Sequence, residues 1–253
     1  MLPYPRKFPK AKIMSSHDRC GTGAQKHPHS MQIRGVGFSQ ILCRFILFIL
    51  GIKVILPSGE LNKSNLICCN HVSWLDILIL HAMTGCGFVA KKEIQSWPLV
   101  GFLAKRTGAI FVDRSHLGGR VRCVKELQKR TNSRKVCIFP EGTTRRGLVP
   151  LKQDWKQGWV WSARGQSVEL VALAFSQHTR MGWDDGESLM KNFRRVLSTP
   201  NKICLIKTHT LEIPLIADKL GLRSLAEQSL HEICQMLLIS HGDLKNAHNS
   251  GPY

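Results

Sequence analysis

Apolar positions along this chain fall into two alternating periods. Short runs of strand length occur at Leu66-Ile67-Cys68-Cys69, Phe88-Val89-Ala90, Gly108 to Val112, Val136 to Phe139, Val168 to Phe175 and Ile203 to Ile206. Between them lie stretches of helical spacing: 75–83, an apolar 97–104 opened by Pro98, 118–129 with Val121, Val124 and Leu127 on one face, 186–197, and 221–239 with its stripe Ala226, Leu230, Ile233 and Leu237. Strands alternating with helices predict an α/β fold with a mixed, largely parallel sheet flanked by helices. Ahead of the first strand, the chain is apolar from Val36 to Leu56. Arg44 and Lys53 interrupt that run, and a cation near a bilayer centre costs about 3 kcal/mol. The expectation is an N-terminal apolar, membrane-associated helical segment that lies in the interface or dips into it, with a buried core helix as the bland alternative.

The domain division follows from these patterns. Residues 1–35 are basic, rich in His, Pro and Gly, and without hydrophobic period, which reads as a disordered tail; Met14 or Met31 is a further candidate for the start. His27 and His29 in that tail lack the further ligands a metal site needs. The basic beginning is not followed promptly by an apolar core and cleavage site, so no secretory signal is read there. Residues 36–60 form the membrane-associated segment, 61–240 the α/β domain and 241–253 a flexible C-terminal tail.

Polar chemistry gathers where the strands end, which is where open α/β sheets bind ligands. His71 and Asp76 follow the first strand, Lys91 and Lys92 the second, Asp113 and Arg114 the third, and Glu141-Gly142-Thr143-Thr144-Arg145-Arg146-Gly147 the fourth. On an unbroken helix His71 and Asp76 would diverge, so His71 belongs to a turn before the helix begins. Ser73 is suited to cap that helix, with Asp76 completing a capping box. The alternative for Asp76 is to accept one ring N–H of His71, leaving the other nitrogen free to take a proton from a hydroxyl. The 141–147 loop offers glycines, hydroxyls and two guanidinium forks suited to phosphate oxygens, in an order that is not a Walker loop.

Thirty-six Lys and Arg against seventeen Asp and Glu leave a formal charge of +19, which calls for an anionic partner. No nucleic-acid-binding motif or aromatic stacking cluster is found, so nucleic acid is not expected, which leaves an anionic membrane surface or a phosphorylated substrate. The nine cysteines are scattered without a Cys-x-x-Cys pair, which suggests no metal site and a reducing compartment.

Asn70-His71-Val72-Ser73-Trp74-Leu75-Asp76, Gly108-Ala109-Ile110-Phe111-Val112-Asp113-Arg114 and Phe139-Pro140-Glu141-Gly142-Thr143-Thr144 together resemble three motif blocks of the glycerolipid acyltransferases typified by bacterial 1-acylglycerol-3-phosphate acyltransferase. The resemblance spans about residues 36 to 210. It implies that His71 is the catalytic base and Asp76 its partner, that Arg114 contacts the acceptor phosphate, and that Glu141 and Gly142 belong to the acceptor site. Thr143, Arg145 and Lys92 are further substrate-binding candidates. The implied reaction moves a fatty acyl group from acyl-CoA or acyl-carrier protein to the free hydroxyl of 1-acylglycerol-3-phosphate, giving phosphatidate, without cofactor or metal, at the cytoplasmic face of the inner (plasma) membrane. Another acceptor, such as a lyso-ornithine lipid, or an idle membrane-binding protein, are the alternatives. The family's fourth block carries a proline that Glu169 to Ala174 lacks.

Overall fold

Each of the six strands expected from the apolar runs is present, and a seventh joins them. The computed structural model describes residues 37–56, 61, 63–96, 100–113, 117–184 and 186–249. The expected tail 1–35, with His27 and His29, lies outside the described residues, as do 97–99 and Arg114. In chain order the elements are α1 (Phe38–Ile49), β1 (Ile52–Ile55), β2 (Leu66–Cys69), α2 (Leu75–Thr84), β3 (Gly87–Lys91), α3 (Val100–Arg106), β4 (Ile110–Val112), α4 (Leu117–Thr131), β5 (Val136–Ile138), β6 (Gln166–Phe175), α5 (His178–Met181), α6 (Leu189–Leu197), β7 (Lys202–Ile213) and α7 (Lys219–Asn249). Short 3-10 helices occupy Lys92–Ser96 and Gly158–Ala163.

The sheet order is β1-β7-β6-β2-β5-β3-β4. All neighbours are parallel except β6 and β7, which pair antiparallel from Gln166↔Ile213 to Phe175↔Cys204. β2 is therefore the middle strand, and the chain leaving its carboxyl end emerges at the centre of one sheet edge. Side chains that alternate along the central strands feed two cores. Leu66, Cys68, Val168, Leu170 and Ala172 pack with α4, α7 and the 158–163 helix, while Ile67, Cys69, Val171 and Leu173 pack with α1, α2 and α6. A parallel strand covered on both faces must be apolar throughout, which is why Leu-Ile-Cys-Cys reads as an unbroken run.

Three expectations are corrected. The apolar run 36–56 is not one helical segment, because Gly51 adopts φ +66°, a left-handed turn that suits glycine. The chain reverses there and returns as β1, which pairs with β7 through Ile52↔Lys202 to Ile55↔Leu205. What remains is a helix of 12 residues, about 18 Å long against a hydrocarbon core of about 30 Å. No described helix is long and apolar enough to cross a membrane. The last strand runs on from Ile206 to Ile213 because β6 offers a partner along that whole length. The helix expected at 221–239 continues to Asn249, so residues 241–249 are not a flexible tail. Ser240 Oγ donates to the Met236 carbonyl, and His241 and Leu244 are buried.

Candidate active site

Where β2 ends, a side chain replaces the strand's next peptide group. Asn70 is buried, its Nδ2 donates to the Leu173 carbonyl at 3.1 Å and its Oδ1 accepts from the Leu173 N–H at 2.8 Å. An amide is the side chain that can mimic both halves of a peptide bond. It secures the chain to β6 and releases the backbone into a turn over residues 71–74.

Asp76, in the first turn of α2, closes that turn. Its Oδ2 accepts the Val72 N–H at 2.7 Å, the Ser73 N–H at 2.8 Å and His71 Nδ1 at 2.9 Å. The capping role and the imidazole-pairing role read from the sequence are thus filled by one oxygen. Ser73 is not the cap the sequence suggested: the helix begins after Trp74, and Ser73 Oγ accepts only the Leu75 N–H at 3.4 Å. A carboxylate at Nδ1 holds the ring proton there and leaves the lone pair on Nε2. The ring is fixed from its face by Phe139, stacked at 4.0 Å between centroids with planes 13° apart.

The loop after β5 meets the same turn. Glu141 Oε1 accepts the His71 backbone N–H at 2.7 Å, and Gly142, at φ +75°, donates to the Phe139 carbonyl at 3.0 Å. His71, Glu141 and Arg145 line one small cleft together with Asn70, Val72 and residues 147–150. Arg145 Nη1 donates to Asp154 at 2.9 Å, with 42% of its side chain exposed. Burial pushes the Glu141 carboxyl up to about 8; Asp76 and Asp154 push the same way, against the His71 N–H bond and Arg145. A cleft with a basic imidazole nitrogen, a guanidinium and a carboxyl protonated at neutral pH can accept a proton from a hydroxyl beside an anionic group and donate hydrogen bonds to it.

Not every expected site residue gathers here. Gly142 and Thr143 shape the loop but are not among the cleft-lining residues. Lys92 lies at the end of β3, 4.0 Å from Asp113 with both side chains well exposed, and does not line the cleft either. Arg114 is outside the described residues. Arg146, beside Arg145 in sequence, turns away and pairs with Asp184 and Glu187. Sequence reasoning gave no role to Phe139, Asp154 or the Asn70 side chain; only Asn70 carried a signal, as an amide ending a buried strand.

The Glu141 shift has a measurable consequence. The folded value lies above the ordinary 4.5, so the folded protein keeps a proton that the unfolded chain has released. This contribution to stability is complete below about pH 4.5 and is lost as pH rises through about 8. Thermal unfolding of Glu141→Gln is expected to lose less stability than the parent between about pH 5 and about pH 9; equal losses would refute the shift.

Residues 54–176 match the family model described as Acyltransferase. Among curated relatives, the chain is 37% identical over 107 residues to the lyso-ornithine lipid O-acyltransferase of Rhizobium meliloti, covering 41% of this chain and 36% of that protein. It is 34% identical over 137 residues to the 1-acyl-sn-glycerol-3-phosphate acyltransferase of Neisseria gonorrhoeae, covering 51% of each. The chain thus spans about half the length, or less, of these relatives. The crystal structure of the 1-acyl-sn-glycerophosphate acyltransferase PlsC from Thermotoga maritima shares the fold, with a TM-score of 0.54 at 16% identity over 79% of this chain and 78% of that one.

Proposed function

From the premise that residues 54–176 form a domain of the glycerolipid acyltransferase family, we propose that this chain transfers a fatty acyl group from a thioester to the free hydroxyl of 1-acylglycerol-3-phosphate, giving phosphatidate. The donor is acyl-CoA or acyl-carrier protein, and no cofactor enters the reaction. The observation that carries the proposal is the 2.9 Å bond from His71 Nδ1 to Asp76 in a cleft that also presents Glu141 and Arg145. His71 Nε2 takes the hydroxyl proton as the oxygen attacks the thioester carbonyl, which avoids a free alkoxide at neutral pH. Asp76 stabilises the imidazolium so formed, and that proton then passes to the departing thiolate. Arg145 and the protonated Glu141 serve the anionic head group, with Arg114 and Gly142 as further contacts carried by the family resemblance alone and Thr143 and Lys92 by their places at the strand ends.

A second acceptor is favoured by one contact. Asp154 already pairs with Arg145, and an Arg–Asp pair suits a head group bearing both a carboxylate and an ammonium, as a lyso-ornithine lipid does. The deciding experiment offers both acceptors with labelled acyl-CoA or acyl-carrier protein to vesicles containing the protein. Labelled phosphatidate is the expected product. Product from the lyso-ornithine acceptor alone would transfer the assignment to it, and product from neither would refute acyl transfer.

The outward face of α1 supports a location at the membrane surface. Phe38, Ile41, Phe45, Phe48 and Ile49 are all more than half exposed and fall within one arc of the helix, opposite the buried Cys43 and Leu47. Phe102 of α3, 55% exposed, lies across a cleft from Phe38 and Leu42. With the net charge of +19, this row is proposed to rest on anionic lipid at the cytoplasmic face of the inner (plasma) membrane. Burying one phenylalanine contributes about 1.5–3 kcal/mol, so Phe45→Asp with Phe48→Asp is expected to weaken sedimentation with anionic vesicles at least about tenfold. Unchanged sedimentation would refute this contact.

A further inference from the structure

Resting on the reading of this cleft as an acyltransferase site, we propose that Glu187 is a positioning residue: its carboxylate holds the loop carrying Glu141 and Arg145 in register with the turn carrying His71. Glu187 lies beyond the matched family segment, in the connection between α5 and α6. Its side chain is only 6% exposed. Oε2 accepts from Arg146 Nη2 at 2.6 Å, from Arg195 Nη2 at 2.9 Å and from Asn192 Nδ2 at 3.3 Å, while Oε1 pairs with Arg195 Nη1. Hydrogen bonds from Arg195, then from Arg146 and Asn192, hold this carboxyl down at about 2, so it is ionised throughout the neutral range.

The same connection grips both halves of the site. On the loop side, Asp184 Oδ1 accepts the Arg146 backbone N–H at 3.0 Å and Oδ2 lies 3.1 Å from Arg146 Nε. Gly182 fits so closely that a Cβ there would stand 2.9 Å from Arg146 Cα. On the turn side, the Trp183 N–H donates to the Val72 carbonyl at 2.9 Å, and Trp74 Nε1 donates to Asn192 Oδ1 at 2.9 Å. Arg195 completes the frame by donating to the carbonyls of Arg180 and Gly182 at 2.9 and 2.6 Å. Val72 is adjacent to His71, and Arg146 is adjacent to Arg145. Glu187 is the anion shared by the two arginines, and it ties the acceptor loop to the frame that also holds the histidine turn.

Reacting groups must be held within fractions of an ångström, so release of the loop should lower turnover without unfolding the sheet. Kinetics of the full chain are measured with acceptor and donor varied separately for the parent, Glu187→Gln, Arg146→Gln and the double variant. Glu126→Gln, which removes a half-buried helix pair with Arg130 remote from the cleft, is the control. After correction for the folded fraction by thermal unfolding, each single variant is expected to lower kcat/KM for the acceptor roughly ten- to a hundredfold, with the donor KM unchanged. The double variant is expected to fall by less than the product of the two single effects, because both remove the Arg146–Glu187 contact. A loss accounted for entirely by the folded fraction, a rise in donor KM alone, or multiplying effects in the double variant would each overturn the assignment. A second readout needs no turnover: the rate at which diethyl pyrocarbonate modifies His71, followed by mass spectrometry well below the unfolding temperature. Glu187→Gln is expected to change that rate several-fold and Glu126→Gln to leave it unchanged. If the parent turns over neither acceptor, the proposed reaction fails and this rate decides alone: a change keeps the positioning role, and no change overturns it.

Discussion

His71→Ala is expected to lower acyl transfer by about two to four orders of magnitude, the usual contribution of a positioned general base. The carboxylate beneath it should stay in place, because Asp76 Oδ2 retains the N–H groups of Val72 and Ser73. The Glu141 bond to the residue 71 backbone is also independent of the imidazole. What disappears is the ring, with its stack on Phe139, worth about 1 kcal/mol, and its bond to the buried Asp76 carboxylate, worth about 1.5–3 kcal/mol. The variant should therefore fold, unfold at a lower temperature and bind acceptor nearly as before. Kinetics and thermal unfolding on the same preparation check this. Transfer undiminished in a folded His71→Ala protein would remove His71 from the chemistry.

The second large effect separates charge from shape at Asp76. In Asp76→Asn the amide oxygen can keep the position of Oδ2 and its three donors. The new NH2 would replace Oδ1, which is buried and has no hydrogen-bond partner among the described residues. Geometry is thus retained while the negative charge beside the His71 ring is lost. Turnover is expected to fall by about two to four orders of magnitude with little loss of stability, since the neutral side chain is cheaper to bury than the carboxylate. Asp76→Ala should differ in kind. It leaves the Val72 and Ser73 N–H groups without their acceptor, at about 1–3 kcal/mol for each buried donor, so stability and activity fall together. An Asn variant as active as the parent would confine Asp76 to capping the turn.

Legibility differed from one part of the molecule to the next for identifiable reasons. The strands showed because a sheet buried on both faces demands unbroken apolar runs at β2 and β6. The break at Gly51 was hidden because both sides of it are apolar; a helix face and an edge strand look alike until their partners are known. The length of β7 was hidden in the same way, since Lys207 to Thr210 becomes strand by pairing with β6 rather than by its own pattern. The end of α7 was misjudged because burial of His241 and Leu244 depends on elements distant in sequence.

The sequence by itself determined the histidine turn and the meeting of His71 with Asp76 within it. His71, Val72, Ser73 and Asp76 lie within six consecutive residues, and their hydrogen bonds close over separations of three to five, so local geometry suffices. The strand-end placement of the polar residues followed equally from the order of strands and helices. Only the tertiary structure decided which of those residues meet. Glu141 reaches the His71 N–H across 70 positions, Arg146 meets Glu187 across 41, and Trp74 meets Asn192 across 118. It also decided that Arg145 lines the cleft paired with Asp154 while its neighbour Arg146 turns into the frame. Adjacent arginines carry the same chemistry in a sequence; the backbone around Gly142 and the carboxylates brought in by later elements separate them, because a charge in a partly buried place is held by whichever opposite charge the fold delivers to it.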